Sequence, residues 1–253
     1  MQDCMAIDKQ IEELMNQNTL ISRRGFLKGT AGIGGGIAAA SFASAFGMGS
    51  AQAAAANDDV ATIANLAATA ETLAVTFYYA AITGAQFDVD EADLVYLKLA
   101  MDAEQYHLDI LGTLGGKSLT QQFYVPATVL SDAAVFVQTG LAAETAFVAA
   151  YLAATRTLAE GGNGKLAATT AQHACSESVH LALIRDIGGL PPNDIALPAA
   201  IYYNVSDAVP TLAPFLKGGT GFIGPVSYPT KAQFDAALGG IKAIKAPPYA
   251  SLY

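Results

Sequence analysis

The sequence predicts an all-α protein: a four-helix bundle made of two duplicated helical hairpins with a long crossover between them, plus an irregular C-terminal extension. Three observations carry this. Residues 57–189 contain four apolar stretches of helical length, each closed by glycine. The links between them run short, long, short, the connection pattern of a bundle with one crossover. A shift of 73 residues lays "ETLAVTFYYAA" (71–81) on "ETAFVAAYLAA" (144–154), with six of eleven positions identical, and "EQYHLDILGTLGG" (104–116) on "ESVHLALIRDIGG" (177–189) without a gap. One such hairpin alone leaves an apolar face exposed; two packed together bury both.

The first element, residues 1–53, joins a polar start to "SRRGFLKG" at 22–29, a Gly/Ala-rich apolar run over 30–48 and the small-x-small end Ala51-Gln52-Ala53. Paired Arg23 and Arg24 ahead of Phe26, Leu27 and Lys28 resemble a twin-arginine export signal, and the small residues offer a cleavage site. A membrane anchor competes for the same run, since about 18 apolar residues can span a bilayer. Its glycines and lack of leucine make that span weakly hydrophobic and favour cleavage. Such a signal implies passage through the twin-arginine machinery to the periplasm or the cell exterior.

The bundle is expected over 54–190. Its first helix has Asn57, Asp58 and Asp59 as candidate N-caps and stops at Gly84; the second covers about 90–114 and is closed by Gly115 and Gly116. Pro126 and the polar content of "KSLTQQFYVPATV" argue for an irregular crossover. The third helix is expected over 131–160, ended by Gly161 and Gly162, and the fourth over 164–187, ended by Gly188 and Gly189. None of these runs reads as lipid-spanning, because Glu, Asp or His interrupts each. The extension, 191–253, is too rich in proline and glycine for long helices. One short helix is expected over 231–238 with Thr230 as its cap, and the whole extension is expected to wrap over the bundle.

Composition narrows the function. A chain that is 53% hydrophobic and 14% charged can bury a sizeable core, and a formal charge of −9 gives no basic footprint for nucleic acid. The cysteines are Cys4 and Cys175; with Cys4 removed, one thiol remains and no internal disulfide is expected. Cys175 falls about 200° around its helix from Glu177, and is read as an ordinary buried thiol facing away from that residue.

The glutamates carry the chemistry. After residue 53 there are six, and Glu71, Glu104, Glu144 and Glu177 fall inside apolar helical stretches. The 73-residue shift pairs Glu71 with Glu144, Glu104 with Glu177 and His107 with His180. Residues three apart lie on one side of a helix, about 60° apart, so each Glu-x-x-His can address a common centre. Eight Glu and three His placed at random would give on the order of 0.1 such motifs; two in register argue against a scattered polar surface. Four buried carboxylates repel one another and call for cations. Two divalent ions would balance them with the histidines neutral, and oxygen and imidazole donors without thiolate suit iron or manganese.

This pattern resembles the ferritin-like superfamily of di-metal carboxylate proteins, and the "ExxHxxxLxxLGG" character of 104–116 is similar to exported ferritin-like proteins of the desiccation-related type. The resemblance covers about residues 57–190. It implies a ferritin-like bundle in which Glu71, Glu104, His107, Glu144, Glu177 and His180 hold two Fe or two Mn ions, with Glu104 and Glu177 as bridges. The sequence departs from several such proteins in one respect. They carry an acidic residue just before the motif glutamate to orient a ligating histidine, whereas Ala103 and Ser176 stand here, so orientation must come from elsewhere.

Three further residues are catalytic candidates. Tyr78 and Tyr151 are repeat equivalents, each seven residues and about 10 Å beyond its glutamate on nearly the same face, placed for redox chemistry, for a hydrogen bond to a carboxylate, or simply for core packing. His173 lies on the ligand face of the fourth helix, but its repeat partner is Ala100; a proton carrier, an extra ligand and a core histidine are its three readings.

The expected function is therefore an exported oxidoreductase acting on dioxygen or peroxide in envelope stress protection. Manganese catalase-like disproportionation of peroxide is the enzymatic alternative, and a non-catalytic metal-binding protein of desiccation or stress the other. A homo-oligomer is compatible with all three.

Overall fold

The structure, a computed structural model, describes residues 57–252; the export signal expected over 1–53 lies outside them. Four long helices dominate: α1 (Val60–Gly84), α2 (Glu91–Thr113), α3 (Ala133–Glu160) and α4 (Gly164–Ile187). Each expected helix is present, with ends displaced by no more than three residues.

Three of the four helix starts follow from side-chain caps. Asp59 accepts the Thr62 N–H at 2.6 Å, Asp90 that of Asp93 at 2.8 Å and Asp132 that of Ala134 at 2.9 Å. Each satisfies a backbone donor with no partner inside its helix, a contribution of about 0.5–2 kcal/mol. Three of the stops need glycine. Gly115, Gly162 and Gly189 adopt φ of +83°, +78° and +68°, where a side chain would be strained, while the next residue's N–H returns to the carbonyl of Leu111, Leu158 or Arg185.

Helices α1 and α2 pack as one hairpin and α3 and α4 as the other. Both α1 and α3 are long and apolar enough, by length and composition alone, to cross a membrane. Their composition has a simpler cause, because α1 is 72% and α3 50% buried over those windows within the bundle. Phe77 of α1 and Phe136 of α3 stack at 5.0 Å in the main core, beside Leu97 and Met101 of α2 and Ile184 of α4.

The crossover is more ordered than its composition suggested. Residues Gln122–Pro126 form strand β1, which pairs antiparallel with β2 (Phe222–Ser227) from the extension; Phe123 faces Val226 and Val125 faces Ile223 across a bulge. Phe123 and Val125 are buried in alternation with half-buried neighbours, and they sit in the core. The strand forms because its partner lies about a hundred residues away, beyond the reach of local patterning.

The extension covers the bundle by polar anchors. Arg185 of α4, itself buried, grips both oxygens of Asp194 at 2.6 and 2.7 Å and fixes its start. A 3₁₀ turn at Val205–Ala208 follows, in which the Ser206 N–H donates to Asp58. Helix α5 (Val209–Lys217) was not expected, given Pro210 and Pro214. Pro210 falls in the first turn, where no N–H is needed, and only three residues follow Pro214, while Leu212 and Ala213 are buried. Helix α6 (Lys231–Leu238) forms as expected, with Thr230 and Gln233 capping one another reciprocally and Phe234 and Leu238 in the core. The last segment lies across α2 and α4. Asp102 of α2 accepts the Ala243 N–H at 2.9 Å and the Lys245 ammonium at 3.0 Å, while Gln172 and Thr169 of α4 accept the N–H groups of Tyr249 and Ala250.

Candidate metal centre

Glu71, Glu104, His107, Glu144, Glu177 and His180, widely spaced in sequence, come together in the bundle interior, with none more than 7% exposed. Helix α1 supplies Glu71, α3 supplies Glu144, and α2 and α4 each supply a Glu-x-x-His pair. They form two groups. Glu71, Glu104, His107 and Glu177 make one, Glu104, Glu144, Glu177 and His180 the other, and within each the ligand atoms all lie within 4.8 Å of one another. Glu104 and Glu177 belong to both.

The imidazoles cross between hairpins. His107 Nδ1 is 3.0 Å from Glu104 on its own helix and 3.0 Å from Glu177 on α4, while His180 Nδ1 is 3.2 Å from Glu177 and 2.8 Å from Glu104 on α2. One oxygen of each glutamate nevertheless lacks a hydrogen bond among the described residues: Glu71 Oε2, Glu104 Oε1, Glu144 Oε2 and Glu177 Oε1. Three of these, on Glu71, Glu104 and Glu177, lie within 4 Å of an imidazole nitrogen without forming a hydrogen bond to it. Four unsatisfied carboxylate oxygens turned into one buried space is costly unless cations join them, so the donor set fits metal ions.

Without metal, these buried groups strongly shift one another's proton affinity. Burial, then repulsion from Glu177 and Glu104, pushes Glu71 well above the ordinary carboxylate range; burial and the same two neighbours do so for Glu144. Burial would also raise Glu104, but His180 and His107 hold it well below that range, and His107 lowers Glu177 against burial and Glu104. Both imidazoles are raised well above 6.5: burial works against this, but Glu71 and Glu177 outweigh it at His107, and Glu104 at His180.

The ferritin-like domain family matches residues 59–189, 131 of the 253 in the chain. The chain belongs to the ferritin-like domain family. No curated protein and no solved structure matches it.

Within this ferritin-like centre the tyrosines cross over as the histidines do. Tyr78 of α1 donates its hydroxyl hydrogen to Glu144, and Tyr151 of α3 donates to Glu71. Each therefore contacts a candidate ligand carboxylate of the opposite hairpin. Burial, then the adjacent glutamate, raises both phenols well above 10, so they remain protonated donors.

His173 stands beside one half only. It is 3% exposed, its Nδ1 is 2.8 Å from the Thr169 carbonyl, and its ring stacks on Tyr151 at 4.9 Å and lies 4.6 Å from that of His107. It falls in neither ligand group. Burial, then the nearby His107, lowers its pKa to about 4.

Cys175 is a correction: it is exposed, not buried. The 200° azimuth did turn it from the glutamates, but on α4 that direction is solvent. Asp102 is the residue that sequence reasoning failed to single out. It is buried and anchors the extension, and nothing in the repeat could show this, since Cys175 occupies the equivalent position and the anchored segment lies outside the duplication.

Proposed function

We propose that this chain is an exported oxidoreductase that holds two iron or two manganese ions and acts on dioxygen or peroxide. The carrying observation is the sharing of Glu104 and Glu177 by both ligand groups, the arrangement expected of two ions held side by side. Bound there, such a pair would supply the electrons for reduction of the substrate. Glu71 and His107 would hold one ion, Glu144 and His180 the other, with Glu104 and Glu177 between them. Tyr78 and Tyr151 would fix the outer carboxylates.

A small apolar pocket beside the centre, with room for about one water-sized molecule, is compatible with a small uncharged substrate. Leu73, Phe77, Ala143, Phe147 and Phe215 line it, and Tyr78 and Glu144 are among its walls. The twin-arginine-like segment at 22–29 supports export. A route that passes folded proteins would let the centre fill before transit, when metal availability helps to decide which ion is held. Replacing Arg23 and Arg24 by Lys should then retain the protein in the cytoplasm.

Elemental analysis of protein purified without chelator, followed by oxygen-electrode traces, tests the reading. About two iron or manganese ions per chain and uptake of dioxygen, or loss of peroxide, with a reductant is the expected result. Oxygen release from peroxide with no reductant would shift the assignment to disproportionation. Bound metal with neither substrate consumed would leave a non-catalytic stress protein and overturn the enzymatic reading.

A further inference from the structure

His173 carries an inference that the duplication brings into view. Its Nδ1–H donates to the Thr169 carbonyl, which fixes the tautomer and leaves Nε2 as a lone-pair acceptor. That Nε2 is fully buried and has no hydrogen-bond partner among the described residues. A buried acceptor left unpaired costs about 1–3 kcal/mol, and stacking on Tyr151 keeps the ring from turning away.

The adjacent ring is His107, whose Nδ1 faces Glu104 and Glu177. An imidazole that gives Nδ1 to a metal must carry its proton on Nε2, and that proton needs an acceptor to fix the ring's orientation. Ala103 and Ser176 provide no carboxylate for this purpose. We propose that His173 is the positioning residue for His107: with Nδ1 of His107 on a metal ion, its Nε2–H is donated to Nε2 of His173.

Ala100 occupies the equivalent place in the other hairpin, so His180 has no histidine there to accept from it. The two metal positions are therefore unequal, and the one at Glu71 and His107 fills first. The ligand set is symmetric in residue type; the asymmetry enters through the neighbour of one ligand. This inference rests on the reading of Glu71, Glu104, His107 and Glu177 as a metal position.

Titration of the chelated full-length protein with Mn²⁺, followed by electron paramagnetic resonance, tests it. The unaltered protein should bind two ions with distinct affinities. His173→Phe keeps the stacked ring but removes the acceptor, and should weaken the tighter ion by about 10- to 100-fold while leaving the other unchanged. His173→Gln places an amide oxygen near the former Nε2 and should restore the tight step. In Co²⁺-loaded protein the shifted His107 N–H proton should exchange with water faster in His173→Phe and slowly again in His173→Gln. Unchanged binding in His173→Phe, or an equal loss at both ions that His173→Gln does not restore, overturns the proposal. Failure of the unaltered protein to bind any Mn²⁺ would overturn the underlying metal assignment instead, and separates the two failures.

Discussion

Tyr78 and Glu144 belong to different hairpins, yet the tyrosine hydroxyl is hydrogen-bonded to that buried carboxylate. Tyr151 makes the reciprocal bond to Glu71. Removing either hydroxyl while keeping its ring isolates the bond. Tyr78→Phe should destabilise the metal-loaded protein by about 1.5–3 kcal/mol, the range for a hydrogen bond to a charged group. Urea unfolding of metal-loaded wild type and variant measures the difference, and coincident curves would deny the bond any energetic role.

Shared and unshared ligands should differ in their losses. Glu104 lies in both ligand groups and Glu71 in one. Glu104→Gln is expected to lose both ions and Glu71→Gln to retain about one per chain, with helical circular dichroism preserved in each. Full metal content in Glu104→Gln, measured by mass spectrometry of the desalted protein, would refute the shared position.

Metal should displace protons. His107, His180, Glu71 and Glu144 are all raised, so without metal they retain protons that metal ligands must give up. Filling both positions should release up to four protons, one from each of these groups, and apparent affinity should rise with pH. Calorimetry in buffers of different ionisation enthalpy counts them. The same shifts fix the pH dependence of the chelated protein. Groups raised on folding contribute stability that is fully present below their unfolded values, 4.5 for the glutamates and 6.5 for the histidines, and lost as pH rises through the folded ones. Glu104 and Glu177, which are lowered, act oppositely: their contribution is present above 4.5 and lost as pH falls through the folded values. The Tm of chelated protein should therefore fall on going from pH 7 to pH 9, and metal should suppress that fall.

The C-terminal anchor is separable from the bundle. Asp102→Ala removes the acceptor of the Ala243 N–H and the Lys245 ammonium. Hydrogen exchange should quicken over residues 241–252 while the interior of α1 and α3 remains protected. Uniform loss of protection would mean instead that the segment and bundle open as one unit.

The small apolar pocket can be filled from Ala143. Ala143 is half-buried and lines it. Ala143→Phe should slow dioxygen consumption several-fold at unchanged metal content, as read from the oxygen-electrode slope.

Much of this architecture was legible because its determinants are local or repeated. A cap signal at Asp59, terminal glycines and a register of 73 residues disclosed the four helices, and buried glutamates in apolar runs the candidate centre. What escaped depends on distant partners. Phe123, Tyr124 and Val125 are too few to declare a strand before Val226 and Ile223 are known to lie alongside. Helix α5 escaped because two prolines outweigh, on local grounds, an apolar face that matters only once the bundle is there to receive it. Cys175 was misplaced by its residue type, since free cysteine is commonly buried, although its azimuth already pointed outward. His173 was visible as a break in the repeat, but its open acceptor atom required the fold.

The contacts Tyr78–Glu144, Tyr151–Glu71, His107–Glu177 and His180–Glu104 have a common property. Exchanging each residue for its repeat equivalent turns one member of the set into another. Contacts of that kind are isologous, the relation between identical subunits about a two-fold axis. The interior thus has the form of a homodimer of one hairpin, fused into a single chain. Fusion makes assembly of the centre intramolecular, governed by the linker's effective concentration instead of by protein abundance. It also frees the copies to diverge, and His173 opposite Ala100 is a difference that two identical subunits could never have held.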